Sequence, residues 1–298
     1  MIRYSIIIPH YNTPTLLARC IESIPHRNDI QIIVVDDSSS QEHQKMLKVL
    51  THSYNHVQFI FFSKNGGAGA ARNIGLTYAK GEWILFADAD DYFSPSFINE
   101  LDRYKSCDAD IIFFNAKSEE AINDRTSHLK KIYSLQNHNS IQHLLRYSFG
   151  EPWCKMIRRK LIQSNRISFE ESFIHNDTKF SYLIGFHAKK IYYSLAVIYS
   201  VTKQQQSVSQ QVSPKVLEQR AKVFAEKNHF LRINHINYFD WQMMSPLWDG
   251  IKNLNINFIK EYFSICRSKD YSFVFIVSQF VIYVFKVLHS KATRSQII

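Results

Sequence analysis

The first part of the chain alternates two apolar patterns. Unbroken runs of strand length occur at Tyr4-Ser5-Ile6-Ile7-Ile8, Gln31-Ile32-Ile33-Val34-Val35, Val57-Gln58-Phe59-Ile60-Phe61-Phe62 and Trp83-Ile84-Leu85-Phe86. Continuous runs of this kind mark strands covered on both faces. Between them, apolar residues recur at helical spacing: Leu16, Leu17, Cys20, Ile21 and Ile24, then Met46, Leu47, Val49 and Leu50. Thr13-Pro14 supplies an N-cap and a first-turn proline to the former. A further helix opens through Ala70-Ala71-Arg72-Asn73-Ile74-Gly75. Strand and helix alternating over roughly the first 90 residues predict a parallel sheet with right-handed crossovers.

Ser94-Pro95 reads as a helix start, and the run Asp110-Ile111-Ile112-Phe113-Phe114 as one more strand of the sheet. Residues 116–139 are polar with little periodicity and are expected to form a loop excursion. Aromatic and basic residues mix over 151–201. The polar run at 203–211 is expected to close the main domain. Ser213-Pro214 and Ser245-Pro246 pair a cap with a first-turn proline, so the remainder is expected to be helical.

Candidate chemistry collects where the strands end. The run Trp83 to Phe86 leads into Ala87-Asp88-Ala89-Asp90-Asp91, and open α/β sheets bind ligands at the carboxyl ends of their strands. If the strand continued, Asp88 and Asp90 would share a face and repel unless a cation lay between them. Carboxylates and phosphate oxygens are hard ligands, so the ion is expected to be Mn²⁺ or Mg²⁺. A polar turn after a strand is the plainer reading of one Asp-Ala-Asp taken alone. Asp37 closes another strand; as a pure acceptor it suits ribose hydroxyls or a base imino proton. Tyr11, after the first strand, offers a ring to stack on a base or simply plugs the sheet end. Gly67-Ala68-Gly69 matches the dinucleotide fingerprint poorly, because Arg72 stands at its third small position. That arginine suits an anion or base contact.

Composition narrows the class further. With 45% hydrophobic residues over 298 positions, the chain is globular, and it carries a formal net charge of +10. A pI near 9.3 suits an anionic substrate or an anionic surface. The basic residues are scattered, with neither zinc-finger spacing nor a basic region leading into heptads, so nucleic acid is not the expected partner. Cys20, Cys107, Cys154 and Cys266 are widely separated and read as reduced thiols of a cytoplasmic protein. No signal peptide is expected, since the chain opens directly on strand-like residues.

Taken together, these motifs resemble those of the family 2 glycosyltransferases, inverting enzymes of the GT-A fold. The resemblance runs over about residues 1–210. It rests on Ile6-Ile7-Ile8-Pro9-His10-Tyr11-Asn12, Val34-Val35-Asp36-Asp37-Ser38-Ser39, Asn65-Gly66-Gly67 with Ala71-Arg72-Asn73-Ile74-Gly75, and Phe86-Ala87-Asp88-Ala89-Asp90-Asp91. It implies an α/β GT-A-like mostly parallel sheet flanked by helices, with a nucleotide-sugar half (1–115), an acceptor half (116–210) and a helical region (211–298). It further implies that Pro9, Tyr11, Asp37, Arg72 and Asp88 hold the nucleotide and that Asp90 binds the metal. Trp153 and Lys155 fall in the implied acceptor region. The family writes Glu-Asp ahead of a helix, the Asp being the catalytic base. This chain has Asn176-Asp177, which keeps Asp177 as the base and, by removing one like charge, eases its ionisation.

The implied reaction moves a sugar from a nucleotide donor, a UDP-sugar first, to a hydroxyl of a glycan or lipid-linked saccharide. Two other readings stay open: a nucleotidyltransferase making the nucleotide-sugar, and a non-catalytic scaffold acting through its C-terminal helices. A dehydrogenase is weaker than either. Residues 271–285 are uncharged and mostly apolar, yet shorter than the about 20 residues a bilayer span needs. Core packing, homodimerisation and docking on the cytosolic face of a membrane are all open for this stretch.

Overall fold

The computed structural model describes residues 1–119, 124–202 and 213–295. The polar run at 203–211 lies outside the described residues. The chain forms two compact units, Met1–Gln205 and Gln206–Ile298.

In the first unit the predicted alternation is present: β1 (Tyr4–His10), α1 (Pro14–Glu22), β2 (Ile30–Asp36), α2 (Gln41–Ser53), β3 (Val57–Phe61), α3 (Gly67–Tyr78) and β4 (Trp83–Phe86). Then follow β5 (Tyr92–Phe93), α4 (Phe97–Arg103), β6 (Ile111–Ser118), α5 (Ser127–Tyr133), α6 (His138–Tyr147), β7 (Lys155–Arg158), α7 (Arg159–Ser164), α8 (Thr178–His187) and β8 (Ile191–Val201). The strands make one sheet in the order β3-β2-β1-β4-β7-β6-β8-β5. Parallel pairing holds for β1 with β2 and β4, β2 with β3, and β6 with β8. The short strands β7 and β5 pair antiparallel.

This order has a functional consequence. The chain winds from β1 to β2 to β3, then returns to place β4 on the other side of β1, so strand order reverses between β1 and β4. Such a reversal opens a crevice at the carboxyl ends of the strands. The apolar runs of β1, β2 and β4 are buried, from Ile6, Ile7 and Ile8 to Ile84 and Leu85, while β3 at the sheet edge buries Val57 and leaves Phe61 exposed.

Three expectations need correction. Strand β4 stops at Phe86; after Ala87, whose N–H still bonds the Ile7 carbonyl, the chain turns with the Asp91 N–H on the Asp88 carbonyl. A turn therefore gathers the aspartates, not strand alternation. Residues 116–139 are not one loop: β6 runs to Ser118, and α5 and α6 bury Leu129 with Ile132 and Ile141 with Leu145. Asn137 caps α6 by accepting from the Ser140 N–H. Thr13 does stand at the α1 N-cap but makes no side-chain cap bond; its N–H instead donates to His10 Nε2 at 3.1 Å.

The second unit is helical: α9 (Pro214–Ile233), a 3₁₀ turn (Trp241–Met244), α10 (Ser245–Lys252), α11 (Ile256–Arg267) and α12 (Phe273–Ser295). Ser213 caps α9. Its core gathers Phe224, Met243, Met244, Phe258, Tyr262 and Ile276, and Lys227 is buried against Asp240. Among the described residues no helix is long and apolar enough to cross a membrane.

Candidate active site

At the reversal between β1 and β4 lies a cleft of about 280 Å³, lined by Pro9, Tyr11, Asp37, Arg72, Asp88, Asp90 and Arg125 among others. The residues implied for nucleotide and metal thus border one space, although they come from four separate segments of the chain. Ligand pockets run from about 300 Å³ upward, so this cleft falls just below that range. Tyr11 is exposed at its rim.

The turn after β2 is fastened from within. His10 Nδ1 meets Asp36 Oδ1 at 2.8 Å. Burial opposes the Asp36 charge, yet hydrogen bonds from His10 and Ser39 hold that carboxyl below its ordinary range. Asp36 is therefore structural, and Asp37 faces the cleft. Its carboxylate accepts the N–H groups of Gly66 (2.8 Å) and Gly67 (2.7 Å). These bonds tie the start of α3 to the end of β2 and leave each oxygen a second lone pair.

Arg72 is the hinge of the arrangement. It is only 5% exposed; Nη2 donates to Asp88 Oδ1 at 2.7 Å and Nη1 to Asn176 Oδ1 at 2.9 Å. Its guanidinium lies 5.3 Å from the centre of the Phe169 ring. Phe169 stacks on Phe180, with ring centroids 3.9 Å apart, and both meet Phe86 edge-on. This aromatic trio joins the end of β4 to α8, whose N-cap is Asp177. Asp177 does not line the cleft, but its neighbour Asn176 is one hydrogen bond from Arg72.

Burial is the largest influence on Asp177 and raises its carboxyl; Arg72 opposes that effect, and Glu151 and Asp88 add to it, so the group is pushed up to about 6. The amide at 176 spares it one further like charge, but burial outweighs the saving. Glu151 itself pairs with His128 at 3.3 Å.

Glycine at 69 permits the close approach of α3. A Cβ there would stand 2.1 Å from the Glu170 carbonyl oxygen, and one at Gly75 would stand 2.3 Å from Ile7 Cγ2. Gly69→Ala is expected to cost about 2–3 kcal/mol, as overpacking against backbone does. The melting temperature should fall by roughly 4–12 °C; an unchanged melting curve would contradict this packing.

Asp88, Asp90 and Asp91 bring one carboxylate atom each to within 4.8 Å of the others. Burial, followed by the charges of Asp88 and Asp90, pushes Asp91 up to about 8. Asp91 Oδ2 is buried with no hydrogen-bond partner among the described residues. Three crowded carboxylates, one of them with an oxygen that lacks a donor, fit a divalent cation of the Mg²⁺ or Mn²⁺ kind.

Several residues that build this corner escape sequence reasoning. The Asp88 N–H donates to Tyr199 Oη at 2.8 Å, the Thr202 N–H to Asp91 Oδ1 at 2.8 Å, and Thr202 Oγ1 to the Asp90 carbonyl at 2.7 Å. Arg19 also donates to that carbonyl. Arg125 lines the cleft and bonds the Thr202 carbonyl at 3.2 Å. Trp153 and Lys155, expected in the acceptor region, are core residues instead. Trp153 stacks on Tyr199, and Lys155, 1% exposed, donates to the Phe149 carbonyl and Ser181 Oγ over the Phe149 ring. Their neighbours satisfy them, leaving almost no surface for a ligand.

A wider groove of about 830 Å³, lined by Glu82, Asp110, Arg158 and Lys189 among others, lies at the opposite ends of the central strands. There Arg158 is spent on Glu82 and on the carbonyls of Ala109 and Cys107.

A mostly parallel sheet flanked by helices, with an acidic turn at its point of reversal, is the arrangement of the GT-A-type fold. The chain belongs to glycosyl transferase family 2, whose model it matches over residues 5–165. It is 27% identical to the EpsH protein of Bacillus subtilis over 78% of this chain and 70% of EpsH. It is 33% identical to the glycosyltransferase GlyG of Streptococcus pneumoniae, over 37% of this chain and only 38% of GlyG. Among solved structures, Staphylococcus aureus TarS 1–349 in complex with UDP-GlcNAc superposes with a TM-score of 0.62 at 20% identity, covering 90% of this chain and 91% of that one. At that identity the likeness speaks for the fold.

Proposed function

We propose that the protein is a metal-dependent inverting glycosyltransferase that takes its sugar from a UDP-sugar and delivers it to a hydroxyl of a glycan or lipid-linked saccharide in surface-polysaccharide synthesis. The observation that carries this reading is the convergence of Asp37, Arg72, Asp88 and Asp90 on one cleft. Solved structures of similar fold bound to UDP-GlcNAc, and to GDP-Man with Mn²⁺, support the donor class and the ion. The poly(ribitol-phosphate) glycosyltransferases among the relatives support a surface-polymer acceptor.

In this reading Pro9, Tyr11, Asp37, Arg72 and Asp88 hold the nucleotide, while Asp90, with Asp88 and Asp91 beside it, holds Mn²⁺ or Mg²⁺. When bound, the ion supplies positive charge for the departing diphosphate. Asp177 accepts the proton of the acceptor hydroxyl as that oxygen bonds to the anomeric carbon and the carbon–diphosphate bond breaks. Arg72 keeps Asn176, and so the start of α8, in register with the donor cleft.

UDP with Mn²⁺ at about 100 times its dissociation constant should add about 2.7 kcal/mol. That raises the melting temperature by roughly 5–10 °C. A melting temperature indifferent to both would overturn the reading. Release of pyrophosphate from a sugar phosphate and a nucleoside triphosphate would favour the nucleotidyltransferase instead.

A further inference from the structure

The second unit leaves one apolar face uncovered. Along α12, Val274, Val277, Val281, Phe285 and Leu288 follow one another at intervals of three and four residues, so they form a single line on the helix. Their exposures are 76%, 39%, 47%, 68% and 53%. The inward face carries Ile276, 1% exposed, with Phe275, Phe280 and Tyr283 packed against the same core. The exposed line is about 21 Å long at 1.5 Å per residue. A contiguous apolar strip of that length on a water-facing helix marks an interaction surface.

We propose that this face of α12 docks in the plane of an anionic lipid bilayer. The charge pattern selects the occupant. After Asp270 the sequence contains no Asp or Glu, while Lys291 and Arg294 follow the strip. Before it, Lys269 is paired with Glu226 and Asp270 stands next in the chain, so the cationic end is the C-terminal one. A second copy laid parallel on the strip would set these cationic ends together, with no carboxylate from this segment to relieve them. An anionic headgroup layer complements that end and admits the apolar line before it. The helix is too short in apolar residues to cross, so it lies along the surface.

The test uses the full chain with vesicles of phosphatidylcholine alone and with phosphatidylglycerol added. The protein should co-sediment with the anionic vesicles and detach as salt is raised. A Val281→Glu/Phe285→Glu variant should bind about tenfold or more weakly, since each carboxylate replaces an inserted apolar group. Its melting temperature should match the parent's, because both side chains face outward. Light scattering should report a monomer for both. Equal binding to the two vesicle types, no binding to either, or a concentration-dependent dimer that the variant dissolves would each overturn the proposal.

Discussion

Asp177→Asn is expected to lower kcat by roughly three orders of magnitude while donor affinity stays near the parent's. Loss of a positioned general base removes about 10²–10⁴-fold. The substitution keeps an N-cap residue of similar shape before α8, so the aromatic trio that holds this helix to β4 is undisturbed. It also removes a carboxylate whose ionisation burial opposes. A folded-state carboxyl near 6, against about 3.9 in an unfolded chain, destabilises the folded protein in full above pH 6, and that cost shrinks as pH falls through 6 and is gone below about 3.9. The variant should therefore melt at or above the parent temperature at pH 8, by an amount on the order of 1–3 kcal/mol. For the parent enzyme, kcat/KM should fall about tenfold per pH unit below 6 as the base takes up its proton. Retained turnover at pH 8 in the variant would remove Asp177 from the mechanism; a melting temperature sharply lower would instead assign it a structural role.

The first half of the sheet is legible because each of its elements is announced locally. Unbroken apolar runs specify β1 to β4, and the residues that follow each run fall at the end of a parallel strand, where the reversal of strand order collects them. Asp37 and Asp88 can be placed at the cleft in this way without any tertiary information. The remainder is carried by contacts with no residue-type signature. Tyr199, Thr202 and Arg19 act on backbone groups of residues 88–91, and nothing in their local sequence sets them apart from other aromatic, hydroxyl or basic positions. Arg125 lies in a polar stretch and acquires meaning only when the fold carries it to the cleft. Lys155 misleads for the opposite reason: a lysine among aromatic residues suggests a ligand contact, but a carbonyl, a hydroxyl and an aromatic face satisfy it inside the core. The strands β5 and β7, two and four residues long, are set by their neighbours in the sheet. Such short strands carry too few residues for any periodicity.

The acidic turn yields the second large effect. Asp90→Ala is expected to abolish the stabilisation that Mn²⁺ adds to UDP and to lower transfer by about 10³-fold or more, several kcal/mol of stabilisation of the departing charge. A chelator should do the same to the parent, reversibly. The fold should survive, because what anchors this turn is the Asp90 main chain. Its carbonyl accepts Thr202 Oγ1 and Arg19, and alanine keeps that carbonyl. Removing one of three carboxylates that lie within 4.8 Å of one another also relieves repulsion, so without metal the variant should melt no lower than the parent. This separates the ion's chemistry from packing: a variant that loses the metal-dependent shift yet keeps its metal-free melting temperature has lost a ligand. One that still gains stability from Mn²⁺ with UDP would show that the ion is held elsewhere. A variant that transfers sugar at the parent rate would show that the departing diphosphate is neutralised by this chain's own cations, such as Arg72 and Arg125, which line the cleft.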